Sequence, residues 1–140
     1  MRFVRHFSLD EANRALREIT PLLVRLREIH IAATRARERL DVLWKRLESG
    51  EPVLDDLTGV RAQIESLTRE AAGLLRRLDE VGCILRDVEM GLVDFPAVVE
   101  GTEVFLCWRL GEEAIAYWHG TAEGFAGRKP LSALPGSRVH

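Results

Sequence analysis

The chain has 140 residues, with 20 basic and 22 acidic side chains and a formal net charge of −2. This length fits one domain (residues 1–140), and neither half carries the positive excess that binding to nucleic acid requires. The N-terminus lacks the apolar stretch of a signal peptide, and no segment approaches the ~20 apolar residues of a membrane span. The two cysteines, Cys83 and Cys107, look unpaired, which fits a reducing compartment better than a disulfide framework. We therefore predict a cytoplasmic protein. It is expected to bind neither nucleic acid nor membrane.

Residues 8–81 are predicted to form a helical hairpin. Ser8 and Glu11 have the spacing of a capping box, which marks a helix start. Apolar residues then recur at alternating steps of three and four, as in a coiled coil, with one interruption around Gly50 and Pro52. Folding the chain back at Gly50 places small residues opposite large ones, so we expect two antiparallel arms, each about 42 Å long.

Pro21 leaves the start of the first helix open. A proline inside a helix removes a hydrogen bond and clashes with the preceding turn, whereas Thr20-Pro21 also suits the N-cap and first residue of a new helix. Residues 9–19 are therefore either a separate short helix or a kinked extension. In both cases they overhang the second arm, where a following sheet could dock.

Residues 82–120 are predicted to form a small four-stranded antiparallel β-meander, because the apolar period changes to two and turn signals recur. The expected strands are 83–88, 92–99, 103–110 and 113–119. A segment from Phe3 to Phe7 could add an edge strand. Residues 121–140 are expected to be an irregular C-terminal tail. The fold class is therefore α+β, a long helical hairpin packed against a small sheet.

The short turns fix a register, and the register divides the side chains between two faces of the sheet. The inner face, which should pack on the helices, contains Trp108 and His119. The outer face has Arg86 and Cys107 opposite Asp94. The polar and aromatic residues predicted on this face are Arg86, Asp94, Phe105, Cys107, Arg109 and Trp118. A sheet face that carries exposed aromatic side chains is usually covered by another segment or a bound molecule.

Cys107 and His119 are weak candidates for metal ligands. The predicted register places them on opposite faces, and the chain has no CxxC, HxH or HExxH spacing, so no metal site and no cofactor are predicted. Cys107 as a nucleophile would need a free base, but Arg86 should hold the nearby Asp94 ionised and paired. A buried, inert cysteine and a core histidine are the favoured interpretations.

Two further residues are candidates for binding. Glu112 lies at a predicted hairpin turn, and its simplest interpretation is a turn residue. Arg128 follows a short glycine-containing loop and could bind backbone carbonyl groups, Glu112 or a small anion. A structural latch is favoured for Arg128, since arginine residues in loops often hold local structure together.

Residues 91–128, GLVDFPAVVEGTEVFLCWRLGEEAIAYWHGTAEGFAGR, resemble the signature of an uncharacterised prokaryotic family, domain of unknown function 2203. FSLDEANRALREITPLL at residues 7–23 resembles the start of that family, and the likeness extends from Phe7 to about Leu131. The family has no established activity. The matching signature positions are Gly91, Asp94, Phe95, Pro96, Cys107, Trp108, Gly111, Glu112, Trp118, His119, Gly127 and Arg128.

The leading functional prediction is an interaction or scaffold module that forms a homodimer. A further protein partner is an option. The balance of features is against an enzyme. The alternative is a small-ligand or metal-binding protein, with or without catalytic activity, that uses the outer face of the sheet. Its candidate ligand or interface residues are Arg86, Asp94, Phe105, Cys107, Arg109, Glu112, Trp118 and Arg128.

Overall fold

A computed structural model describes residues 5–133. It contains two helices and a five-stranded antiparallel sheet in the order β1-β2-β3-β4-β5, so the predicted α+β class is confirmed and the sheet has one strand more than expected. No helix in the described range is long and apolar enough to cross a membrane. The elements are α1 (Leu9–Glu48), α2 (Leu54–Val81), β1 (Ile84–Asp87), β2 (Leu92–Val99), β3 (Thr102–Arg109), β4 (Tyr117–Gly120) and β5 (Lys129–Pro130).

Helix α1 is continuous through Pro21, so a separate N-terminal helix is ruled out. The predicted capping box is present, with Ser8 Oγ accepting from the Glu11 amide and the Glu11 carboxylate accepting from the Ser8 amide. Thr20 does not cap a new helix, because its hydroxyl donates to the Leu16 carbonyl at 2.6 Å. A proline inside a helix costs about 3 kcal/mol. Burial of Leu22 and Leu23, which directly follow Pro21, offsets this cost.

The two helices form the predicted antiparallel hairpin, but α1 has 40 residues and α2 has 28. The first turns of α1 therefore extend beyond α2, and the sheet packs there. The main core lies between this extension, the end of α2 and the inner face of the sheet. Its fully buried side chains include Phe7, Ile19, Leu23, Phe95 and Leu106.

The register between β2 and β3 agrees with the prediction. Asp94 pairs with Cys107, and Pro96 pairs with Phe105. Glu100 and Gly101 have φ values of 50° and 78°, as a two-residue hairpin turn with two positive φ angles requires. Such a turn permits one register only, which is why the β2–β3 register could be predicted from the sequence.

Strand β1 contains an irregularity that the sequence did not indicate. Leu85 pairs with Val93 and Asp87 pairs with Leu92, so Arg86 is the extra residue of a bulge. The backbone partner of Asp94 is Ile84 instead of Arg86. The bulge nevertheless turns the Arg86 side chain toward the outer face, where it reaches Asp94.

The predicted register between β3 and β4 is wrong by one residue. Phe105 pairs with His119, whereas a two-residue turn at Gly111-Glu112 would pair it with Trp118. The connection is instead an irregular loop over residues 110–116. Glu112 accepts from the Arg109 amide, and Asn13 of α1 accepts from the Ile115 amide. Since side chains alternate along a strand, the shift puts His119 on the outer face and Trp118 against the helical core.

Both ends of the sheet differ from expectation. Residues 5–7 form no strand, although the Phe7 amide donates to the Pro96 carbonyl at 2.7 Å; Phe3 lies outside the described residues. The predicted irregular tail contains β5, which pairs with Tyr117 and Trp118 of β4. Two short 3₁₀ turns flank β5, at Phe125–Gly127 and Leu131–Ala133. The remainder of the tail, residues 134–140, lies outside the described range.

Candidate functional site

Asp94, Cys107 and His119 converge on the outer face of the sheet, and we call them the Asp94–Cys107–His119 cluster. Asp94 and Cys107 are direct partners on β2 and β3, and His119 of β4 lies two residues along from the partner of Cys107. One ligand atom from each side chain lies within 4.8 Å of the other two. Their exposed fractions are 1%, 0% and 3%. The reason for excluding a site shared by Cys107 and His119, their placement on opposite faces, is therefore wrong.

Hydrogen bonds fix the orientation of the His119 ring. Nδ1 lies 2.9 Å from the carbonyl oxygen of Gly120, and because a carbonyl can only accept, Nδ1 carries the hydrogen. A neutral imidazole then has its lone pair on Nε2. That atom lies 3.0 Å from both carboxylate oxygens of Asp94. Two such atoms at this distance need a proton or a metal ion between them.

Arg86 completes the polar surroundings of Asp94. Its Nε donates to Asp94 Oδ2 at 2.7 Å, as the sequence suggested, and its guanidinium carbon lies 5.1 Å from the centre of the Phe105 ring. The Phe105 ring also contacts the His119 ring, with the two centres 5.4 Å apart. Asp94 is therefore held between Arg86 on one side and His119 on the other.

The Cys107 thiol is protonated at neutral pH. Burial and the nearby negative charge of Asp94 raise its pKa to about 11, although Arg128 opposes this shift in part. A buried thiol with this pKa is a poor free nucleophile. A metal ion would displace the proton and bind the thiolate.

Arg128 and Glu112 hold the chain that covers the cluster. Two guanidinium nitrogens of Arg128 donate to Glu112 at 2.9 and 3.0 Å, and one also reaches the Cys107 carbonyl at 3.4 Å. The guanidinium carbon lies 4.0 Å from the centre of the Tyr117 ring. Burial would raise the pKa of Glu112, but hydrogen bonds from Arg128 and the Arg109 amide lower it overall. These contacts agree with the interpretation of Arg128 as a latch.

The chain itself supplies a cover for the outer face, in the segment that leads from β4 to Arg128. A cavity of ≈ 390 Å³ remains between this segment and the sheet. Arg86, Asp94 and His119 line the cavity on the sheet side. Glu123 lines it on the other side, where it accepts from the Gly120 amide and the Lys129 ammonium. This cavity could not be predicted from the sequence, because a loop of glycines and small residues indicates no particular path.

The structure separates the candidate residues into two groups. Arg86, Asp94, Phe105 and Cys107 lie together on the outer face. His119, which was predicted on the inner face, lies with them. Trp118 lies on the inner face, and Arg109 is exposed at the end of β3, with its guanidinium carbon 5.9 Å from the centre of the Phe125 ring. Trp118 and Arg109 therefore take no part in the cluster.

Fold and cluster together define an α+β protein whose small sheet carries buried side chains of metal-ligand type. The chain belongs to the family described as Uncharacterized conserved protein (DUF2203), whose model matches residues 5–131. No curated protein and no solved structure matches the chain. The family description supplies no activity.

Proposed function

We propose that this protein binds a divalent transition metal ion, with Zn²⁺ as the reference ion, through Asp94, Cys107 and His119. The observation that carries the proposal is the convergence of carboxylate, thiol and imidazole ligand atoms within 4.8 Å of one another. Zn²⁺ binds these three groups. The hydrogen bond from His119 Nδ1 to a backbone carbonyl is one of the contacts that commonly orient metal-binding histidines.

The distances support an ion between the side chains. Ligand atoms at roughly 2.0–2.2 Å from a tetrahedral Zn²⁺ lie about 3.3 Å from each other. His119 Nε2 and the Asp94 oxygens are 3.0 Å apart, so a small outward shift admits the ion. Arg86 holds the Asp94 carboxylate through the second oxygen, a contact typical of ligands in metal sites.

Titration with Zn²⁺ against a chromophoric chelator tests the proposal. We expect one ion per chain, and at least a ~100-fold loss of affinity in Cys107→Ala and in His119→Gln, because each loses a direct ligand. Cys83→Ala is the matched control, since Cys83 is also buried but lies in the helical core. Circular dichroism should show that each variant is folded.

The same titration at several pH values gives a second measurement. Because burial raises the pKa of Cys107 to about 11, Zn²⁺ must displace the thiol proton at neutral pH. Affinity should therefore rise with pH, about tenfold per pH unit for each proton released. Absence of binding by the wild-type chain, or equal affinity in Cys107→Ala, would refute the proposal.

A second candidate function is a homodimeric interaction module, and exposed apolar side chains on α1 support it. Val24, Ile31 and Val42 are 41%, 44% and 56% exposed. Their spacings of 7 and 11 residues place them on one side of the helix. An apolar stripe of this kind suits the same stripe on a second copy of the chain.

Sedimentation equilibrium tests this second candidate. We expect the mass of two chains for the wild type and of one chain for Ile31→Glu, which puts a charge in the middle of the stripe. Arg37→Glu, an exposed position on another side of α1, should remain dimeric. A wild-type chain that sediments as a monomer at micromolar concentration contradicts the candidate.

A reducing, cytoplasmic location is also part of the proposal. Cys83 and Cys107 are both free and buried, and the proposed site needs the Cys107 sulfur unoxidised. Recovery of a tagged chain from a secreted fraction instead of the cytosol would speak against it.

A further inference from the structure

We infer that the metal site is open, and that a small oxyanion with a carboxylate or phosphate group binds the ion from the adjoining cavity and contacts Arg86. The inference rests on the proposed metal site. It goes further, because it assigns the site a ligand class and therefore a role beyond holding the fold together.

The number of ligands is the first argument. Within residues 5–133 the cluster contains three potential ligands. Structural zinc sites are closed by four protein ligands, whereas sites with three keep a position for water or substrate. A tetrahedral ion held by Asp94, Cys107 and His119 therefore has one free position.

The direction of access is the second argument. Cys107 is fully buried beneath the covering segment. Asp94 and His119, in contrast, line the ≈ 390 Å³ cavity. A ligand of a few non-hydrogen atoms fits this volume. It would approach the ion from the side that these two residues share.

Charge is the third argument. Arg86 lines the cavity and is 42% exposed, and in the described part of the chain its hydrogen bond runs from Nε to Asp94. Its two terminal nitrogens are therefore free to donate, and a guanidinium matches the paired oxygens of a carboxylate or phosphate. Glu123 is the opposing charge, but Lys129 neutralises it at 2.7 Å. With a divalent ion present, the positive charges around the cavity outnumber the negative charges of Asp94, Glu123 and the Cys107 thiolate.

Cobalt substitution tests the inference, because Co²⁺ reports its ligands through visible absorption. The wild-type chain is loaded with Co²⁺ and titrated with acetate in one series and inorganic phosphate in another, at ionic strength held constant with sodium chloride. We expect a saturable change in the visible bands with at least one anion. Arg86→Gln should lower the affinity for that anion by about tenfold or more, since a charge-assisted pair is lost.

Two further variants make the result specific. Arg109→Gln removes an exposed arginine of the same sheet that does not line the cavity, and it should bind the anion like the wild type. Arg86→Lys retains the positive charge without the planar fork, so it should bind with intermediate affinity. Arg86→Lys also serves as the test if Arg86→Gln does not fold.

The outcomes separate this inference from the proposed function. A chain that takes up no Co²⁺, or binds it without a thiolate absorption band, lacks the metal site itself, and both ideas fall. A normal cobalt spectrum that neither acetate nor phosphate changes leaves the metal site standing and overturns the open position. An anion effect of equal strength in Arg86→Gln and the wild type overturns the role of Arg86.

Discussion

Replacement of Phe95 by alanine is expected to lower the free energy of unfolding by about 3–5 kcal/mol, the usual cost of removing a buried aromatic side chain. Phe95 is 0% exposed and lies on the inner face of β2. Its ring meets the Phe7 ring edge to face, with the centres 5.1 Å apart. The substitution therefore leaves a cavity at the junction of the sheet, the N-terminal segment and α1.

Urea denaturation followed by circular dichroism measures this loss. Trp44→Ala is the control, because it also removes a large aromatic side chain, but from a position that is 47% exposed. The control should lose less than about 1 kcal/mol. Similar losses in the two variants would show that the junction with the sheet contributes no more to stability than the helical surface does.

Replacement of Asp94 by alanine in metal-free protein is the second large effect, with an expected loss of about 3–5 kcal/mol. Asp94 is 1% exposed, accepts from Arg86 at 2.7 Å and lies 3.0 Å from Nε2 of His119. Without the carboxylate, the buried His119 ring and the Arg86 guanidinium lose their shared partner. A buried polar group without a partner costs far more than a missing surface ion pair.

This second measurement is made by urea denaturation in the presence of a chelator, so that metal binding does not contribute. Glu103→Ala is the control, since Glu103 is an exposed carboxylate of the same sheet, paired with His6 at 2.8 Å. It should cost less than about 1 kcal/mol. If Asp94→Ala is as stable as Glu103→Ala, the cluster is not a stabilising network in the metal-free chain.

The sequence predicted those parts of the fold that local patterns determine. The heptad-like spacing of apolar residues located both helices, and Glu100-Gly101 determined the β2–β3 register because a two-residue turn with positive φ angles has few alternatives. Asp94 was therefore placed opposite Cys107 correctly. The ion pair between Asp94 and Arg86 was also predicted, although Arg86 is the extra residue of a bulge and the backbone partner of Asp94 is Ile84.

The parts that depend on distant contacts could not be predicted in this way. Gly111 suggested a tight turn, but Asn13 of α1 accepts from the Ile115 amide and helps to hold a longer loop in place. The one-residue shift that results moves His119 from the core face to the cluster. Packing of Leu22 and Leu23 likewise carries α1 through Pro21, an outcome that local propensity alone disfavours.

The hydrogen bond between Asn13 and Ile115 has a consequence for the order of folding. It joins residues that are 102 positions apart, whereas the hairpin and the β2–β3 ribbon close over short chain segments. Contacts between residues far apart in sequence form slowly, because the intervening chain loses more entropy on closure. We therefore expect β4, and His119 with it, to be placed late, after the N-terminal turns of α1 have docked. A nascent chain would then bring Asp94, Cys107 and His119 together only when folding is almost finished, so the cluster that we propose to bind metal is among the last parts of the fold to form.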